Sequence, residues 1–418
     1  MTPRRNCPGL RRHRCDHIHR HSPNPAFLSR RDFLKMFGAS AGGLVLTACG
    51  LNKFTPTSSP ALFPSDTPSP FQPATEIPFP SPTATPGTPA ISPVPPHRKV
   101  AIAQADDYDG QVVFRQARTA LDALGAIGDI VHLGDRVAIK VNLTGGTLTP
   151  PMRGIPRIES YFTHPSVVLA LGKLLRDAGA THLYIVEATD TPDAFSDSGY
   201  EDIARELGAE LVNLNSHIPY KDFYQAQLGN EGLVYESFTL NPILDNIDVF
   251  VSVPKLKCHW CCGVTLGMKN SIGLVPVRYY RNRPRDNERS AFHGGADTDE
   301  YKTRLPQVIM DLNRARPIDL VLIDGIQTVD GGEGPWHDVS VQQSRVLIAG
   351  KNAVAVDAVG TAVMGFDPVA EYPNSPFLHG RNHLNLAHDL GFGSNRLEEI
   401  QILGEKIEDV RCNFRPSV

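Results

Sequence analysis

From residue 98 onward the chain alternates short apolar runs with segments whose apolar residues recur every three to four positions. Runs of the first kind read as strands and the 3.6-residue repeat reads as helix. The expected strands are 99–105, 136–142, 182–188, 210–214, 247–253, 319–324 and 345–349. Pro165–Ala178 is the clearest helix. Val167, Val168, Leu171, Leu174, Leu175 and Ala178 share one face, Pro165 suits the first helical position, and Gly179 provides the stop. Residues 111–124 place Val113, Ala117, Leu121 and Leu124 on one face, and further helices are expected near 200–208, 304–314 and 352–364. Near-continuous apolar strands such as 249–253 imply burial on both faces. The fold class expected is therefore α/β, a mostly parallel or mixed sheet with helices on both faces. No fixed-period repeat is visible, and 98–418 reads as one domain. One stretch departs from the pattern. In 278–303, Arg278, Arg281, Arg283, Arg285 and Arg289 surround Tyr279 and Tyr280, and His293 leads into an acidic patch. Few core residues over that length predict a polar, lid-like insertion.

Ahead of residue 98 the periodicity is absent. Of 35 prolines, 14 fall between Pro56 and Pro96, among Ser, Thr and Ala. Such a segment buries too little apolar surface to offset its ordering entropy, so 49–97 is expected to be a disordered, extended stalk. Residues 1–48 read as an address. Ser29-Arg30-Arg31-Asp32-Phe33 precedes a weakly apolar run, as in a twin-arginine translocation signal. The run over 38–48 is short of the roughly 20 apolar residues a membrane-spanning helix needs. It ends in Leu46-Thr47-Ala48-Cys49, which resembles a bacterial lipobox with Cys49 as the lipidated residue. The expectation is export by the twin-arginine machinery and lipid anchoring at the outer face of the cytoplasmic membrane or in the envelope.

Composition sharpens this picture. Hydrophobic residues at 41% and charged residues at 21% exclude a polytopic membrane protein. The formal net charge of −4 joins a basic leader to an acidic remainder: nine Lys and Arg against two acids before Cys49, then 32 against 43. An acidic mature chain argues against nucleic acid or an anionic lipid surface as partners, leaving the lipid anchor as its contact with the membrane.

Candidate chemistry gathers at strand ends, where open parallel sheets bind ligands. The strand at 136 ends in Lys140-Val141-Asn142, and that at 182 in Glu187, with Asp190 beyond. The strand at 247 runs into Pro254-Lys255-Leu256-Lys257-Cys258-His259, and that at 319 delivers Asp324-Gly325 and then a glycine-rich loop carrying Glu333. His164 opens the strong helix. Asp357 lies in an otherwise apolar helix, where an acid needs a partner, and Lys269 or Lys140 would serve. The leading expectation is an enzyme for, or binder of, a small anion, a carboxylate or phosphate. Lys140, Asn142, Lys255, Lys257, Lys269, Asn270, His293 and Asp357 would hold the ligand. His164, His259, Glu187, Asp324 and Glu333 would move protons, or the acids would hold a divalent metal ion bridging to it. No nucleotide-binding motif is present. A second reading is a metal or redox protein using Cys258, His259 and Cys261. The remaining cysteines are Cys7, Cys15, Cys49, Cys262 and Cys412, so no second pair completes a set, and a disulfide or a buried thiol is the other use. A third reading is a non-catalytic solute-binding or envelope lipoprotein.

These landmarks, in order, resemble the family called domain of unknown function 362. They include Lys140-Val141-Asn142, Thr163-His164-Pro165, Lys255-Leu256-Lys257 with His259, Leu266-Gly267-Met268-Lys269-Asn270 with Gly273, His293, Asp324-Gly325, Glu333-Gly334-Pro335 and Ala355-Val356-Asp357-Ala358. The resemblance covers about residues 99–370 and implies site positions without a reaction. Some relatives are fused to ferredoxin-like iron–sulfur modules, and none is visible here. The doubled Cys261 and Cys262 depart from the family's usual pattern.

Overall fold

The computed structural model describes residues 98–152, 154–280, 291–294 and 299–418. The proposed signal, Cys49, the stalk and most of the insertion (281–290 and 295–298) lie outside the described residues. The strands are β1 (Lys99–Gln104), β2 (Arg136–Lys140), β3 (His182–Glu187), β4 (Glu210–Asn213), β5 (Tyr224–Gln227), β6 (Ser237–Leu240), β7 (Val249–Ser252), β8 (Lys255–His259), β9 (Gly263–Thr265), β10 (Leu320–Asp330), β11 (Ser340–Gln342), β12 (Val346–Gly350) and β13 (Gln401–Gly404). The main sheet runs β13-β1-β12-β10-β7-β2-β3-β4, and along this path only β12 opposes the others. The fold is α/β with a mostly parallel sheet.

Alternation along each strand feeds two cores, as the pleat requires. Val137, Ile139, Val249, Val251, Leu320 and Leu322 pack with helices α1 (Gly110–Ala123), α2 (Pro165–Ala178) and α3 (Tyr200–Leu207). Ala138, Phe250, Val321 and Ile323 face the other way, toward α4 (Tyr301–Ala315), α5 (Ala353–Val363) and α6 (His383–Asp389). Helix α2 has its expected ends: His164 Nδ1 accepts the Ser166 N–H at 3.1 Å, and Gly179 takes φ +119°.

Three elements differ from the sequence reading. The strand expected to end at Asp324 continues to Asp330, so Asp324 lies mid-strand. Gly325 is there for close packing, because a Cβ would meet Val346 Cγ2 at 2.9 Å and Leu256 Cδ2 at 3.0 Å. The polar segment after Pro254 is a strand. After Pro254 the chain leaves β2, with which β7 pairs, and continues as β8, which pairs with β10 and β9. Within the insertion, Phe292 is fully buried against Tyr235, Phe238 and Tyr280, so part of this segment belongs to the core.

Candidate functional site

Because β8 alternates, Leu256 and Cys258 enter the apolar core while Lys255, Lys257 and His259 carry the polar side of the strand. Lys255 is wholly buried and uses all three ammonium hydrogens. It donates to Asp324 Oδ2 at 2.9 Å, to the Tyr108 hydroxyl at 2.7 Å and to the Ile158 carbonyl at 3.0 Å. Tyr108 donates in turn to Asp324 Oδ1 at 2.8 Å, and its ring stacks on His164 at 3.7 Å. The His164 backbone N–H reaches Asp324 Oδ2 at 2.8 Å. Burial, then the Lys255 charge, push the His164 pKa down to about 3.

Lys140 is filled in the same way, by Glu187 Oε2 (3.0 Å), the Val141 carbonyl (2.6 Å) and Asn270 Oδ1 (3.2 Å). Gly273 makes room for this pair, since a Cβ there would fall 2.0 Å from Glu187 Oε1. Lys257 is different. It donates to Asn142 Oδ1 (3.0 Å), the Tyr161 carbonyl (2.8 Å) and, at 3.4 Å, the Glu333 carbonyl. Among the described residues no carboxylate lies within ion-pair distance of it. Burial and then the Lys269 charge push its pKa down to about 7. Lys269 is half-buried and makes no hydrogen bond or ion pair among the described residues. With Lys140, Asn142, Glu187, Thr265 and Asn270 it lines a cleft of about 30 Å³, enough for one or two waters or part of a small ion.

Beyond Lys257 lies an aromatic and imidazole wall. His259 Nδ1 accepts N–H bonds from Cys261 (3.1 Å) and Cys262 (3.3 Å), and its ring stacks with His293 at 6.4 Å. Burial and then Lys269 hold its pKa well below the ordinary value. The neutral ring therefore carries its hydrogen on Nε2 and is a donor there. The Glu333 carboxylate accepts from the Trp260 N–H (3.1 Å) and Trp336 Nε1 (3.1 Å) and lies 3.2 Å from His337 Nε2. Burial opposes its charge, but hydrogen bonds from His337 and Trp336 work against that, and its pKa lies well below the carboxylate range.

Lys140, Asn142, Glu187, Lys269 and Asn270 thus meet at one cleft. His164, Lys255 and Asp324 form a closed cluster along the same seam, with Lys257, Glu333, His259 and His293 between and beyond. Asp357 does not join. Its partners are the backbone N–H groups of Gly267 (2.7 Å) and Met268 (2.9 Å), instead of Lys269 or Lys140. The candidate metal set does not assemble: among the described residues no three His, Cys, Asp or Glu side chains converge to hold an ion. Strand alternation puts Cys258 and His259 on opposite sides, and both acceptor bonds to His259 Nδ1 are internal. Among the described residues Cys258, Cys261, Cys262 and Cys412 form no disulfide with one another, and burial pushes up the pKa of Cys258 and Cys262. The sequence reading missed Tyr108, Tyr161, Trp260, Trp336 and His337. Tyr108 had a signal, since it follows β1 as the other polar residues follow their strands.

Residues 137–362 match the family described as Domain of unknown function (DUF362), and the chain belongs to that family. It is 26% identical over 316 residues to a thylakoid-associated protein of Synechocystis sp., spanning 75% of this chain and 88% of that one. Among solved structures it is similar to the lactate racemase apoprotein of Thermoanaerobacterium thermosaccharolyticum, at 12% identity and TM-score 0.34. That match covers 62% of this chain and 56% of the other, little more than half its length. A Thermotoga maritima protein matches at 10% identity and TM-score 0.29, over 57% and 56% of the two chains.

Proposed function

We propose that this protein takes up a small carboxylate or phosphate at Lys269 and acts on it as an enzyme. One observation carries the reading. Among the described residues, the ammonium groups of Lys257 and Lys269 have no carboxylate within ion-pair distance, whereas Lys140 and Lys255 each have one. Uncompensated cations in a partly desolvated cleft favour an anion, which would also restore the Lys257 charge. A proton-transfer group adjoins the cleft, since Lys257 donates to Asn142, which lines it. Lys257, titrating near neutrality, can give or take a proton, and His259 Nε2–H can donate a hydrogen bond to a developing negative charge. Melting curves of wild type and Lys269→Met with phosphate and small carboxylates test the binding. Stabilisation of the wild type alone is expected, and equal stabilisation of both sinks the reading. Turnover screening of the anions that bind separates an enzyme from a solute-binding protein.

The domain's setting is proposed as export by the twin-arginine route and lipid anchoring through Cys49, with the proline-rich segment as tether. A thylakoid-associated relative fits a place at a membrane. Cys49→Ser should move the protein to the soluble fraction, and Arg30→Lys with Arg31→Lys should block export.

A further inference from the structure

We infer that Asp357 is a pH-responsive positioning residue that fixes the backbone presenting Lys269 to the cleft, an inference that rests on reading Lys269 as the anion's anchor. Every residue of α5 is buried, and Asp357 is its one acid, with no exposed surface. Its two oxygens each take one N–H, from Gly267 at 2.7 Å and Met268 at 2.9 Å, the two residues immediately before Lys269. The carbonyls of the same two residues are also held: Ser252 Oγ donates to the Gly267 carbonyl and Asn313 Nδ2 to the Met268 carbonyl, each at 3.0 Å. Glycine at 267 is required by this clamp, because a Cβ would stand 2.9 Å from Asp357 Oδ1 and 3.0 Å from the Val321 methyls.

Among the described residues the carboxylate has no cation partner. The elements packed against α5 bring Lys99 from β1, Asp324 and Asp330 from β10, and His383, His388 and Asp389 from α6. The C-terminal segments add Glu398, Glu399, Glu408 and Asp409. None lies within hydrogen-bond or ion-pair distance of Asp357 among the described residues. Burial raises the Asp357 pKa to about 7 against the pull of the two N–H bonds. Ionised, it accepts both N–H groups. Protonated, one oxygen turns donor and one N–H loses its acceptor, loosening the turn ahead of Lys269. Anion affinity gains from this device as pH rises, the opposite of what protonation of lysine or histidine does.

The test is calorimetric titration of the whole protein with sulfate and with acetate, whose charges are constant between pH 6 and 8.5. Asp357→Asn has one acceptor and one donor, so it mimics the protonated acid at every pH. It should bind about tenfold more weakly than wild type at pH 8.5, the loss of one charge-assisted bond, with the ratio shrinking toward one at pH 6. A merely structural Asp357 would lower the melting temperature without a pH-dependent affinity ratio. Asp357→Asn binding as wild type does at pH 8.5 overturns the inference and leaves the anchor reading standing. Lys269→Met binding as wild type does, or a wild type that binds neither anion, overturns the anchor reading and this inference with it. Should Asp357→Asn fail to fold, Lys257→Met, which lacks the other group titrating in this range, carries the test. Its affinity should rise from pH 6 to 8.5, and a flat or falling profile overturns the inference.

Discussion

Lys255 and Lys269 occupy one polar seam and have opposite circumstances. Lys255 has no exposed surface, and its three hydrogens go to a carboxylate, a phenol and a carbonyl. Lys269 is half-open and has no partner among the described residues. The contrast teaches that a cluster of lysines at strand ends is two things at once. One part is a structural network in which buried lysines are paired with Glu187 and Asp324. The other is a cation left over once that network is complete. Counting hydrogens against acceptors separates them, whereas residue type and position do not.

Three measurements would break or sharpen this contrast. The largest effect is expected for Lys255→Met, which leaves Asp324 and the Tyr108 hydroxyl buried without their cation. Urea unfolding should show a loss of about 3–5 kcal/mol, and a loss under about 1 kcal/mol would remove the structural assignment. The second concerns acid. The folded His164 pKa of about 3 lies below the ordinary value near 6.5, so the unfolded chain binds a proton that the folded chain refuses. Stability is therefore lost as pH falls from about 6.5 toward 3, at up to about 1.4 kcal/mol per pH unit. His164→Asn keeps a helix-capping acceptor and does not titrate, so its acid limb should be flatter by that amount. Parallel limbs in the two proteins would show that His164 protonates freely in the folded state. The smallest effect is expected for Lys269→Met without ligand, where stability should stay within about 0.5 kcal/mol of wild type or rise. A loss of several kcal/mol would place Lys269 in the same class as Lys255.

Much of the scaffold was legible because it obeys local rules. Helix α2 carries its own start, stop and apolar stripe, and the parallel strands announce themselves as apolar runs. The strand β8 was hidden because proline and two lysines read as loop, although Lys-Leu-Lys-Cys-His alternates with the strand period. Asp324 reads as a strand end because a glycine-rich loop follows it, and the packing role of Gly325 depends on Val346 and Leu256 from other strands. The site residues were legible as a group, but their state was not. Lys140, Lys255 and Lys257 are each satisfied in part by backbone carbonyls, at Val141, Ile158 and Tyr161, and carbonyls leave no trace in residue identity. Asp357 fails for the same reason, since its partners are two peptide N–H groups.

The arrangement of β1 bears on how the protein is made. Val100 lies opposite Gly350 in β12 and Ile402 in β13, so the first strand of the sheet has no neighbour until almost the whole chain exists. Such long-range closure slows folding and leaves an apolar strand waiting during synthesis. A ribosome-bound chain cut short before β12 should expose β1 to proteases and chaperones, while β2, β3 and β4, which follow one another in sequence and in the sheet, would already be able to pair.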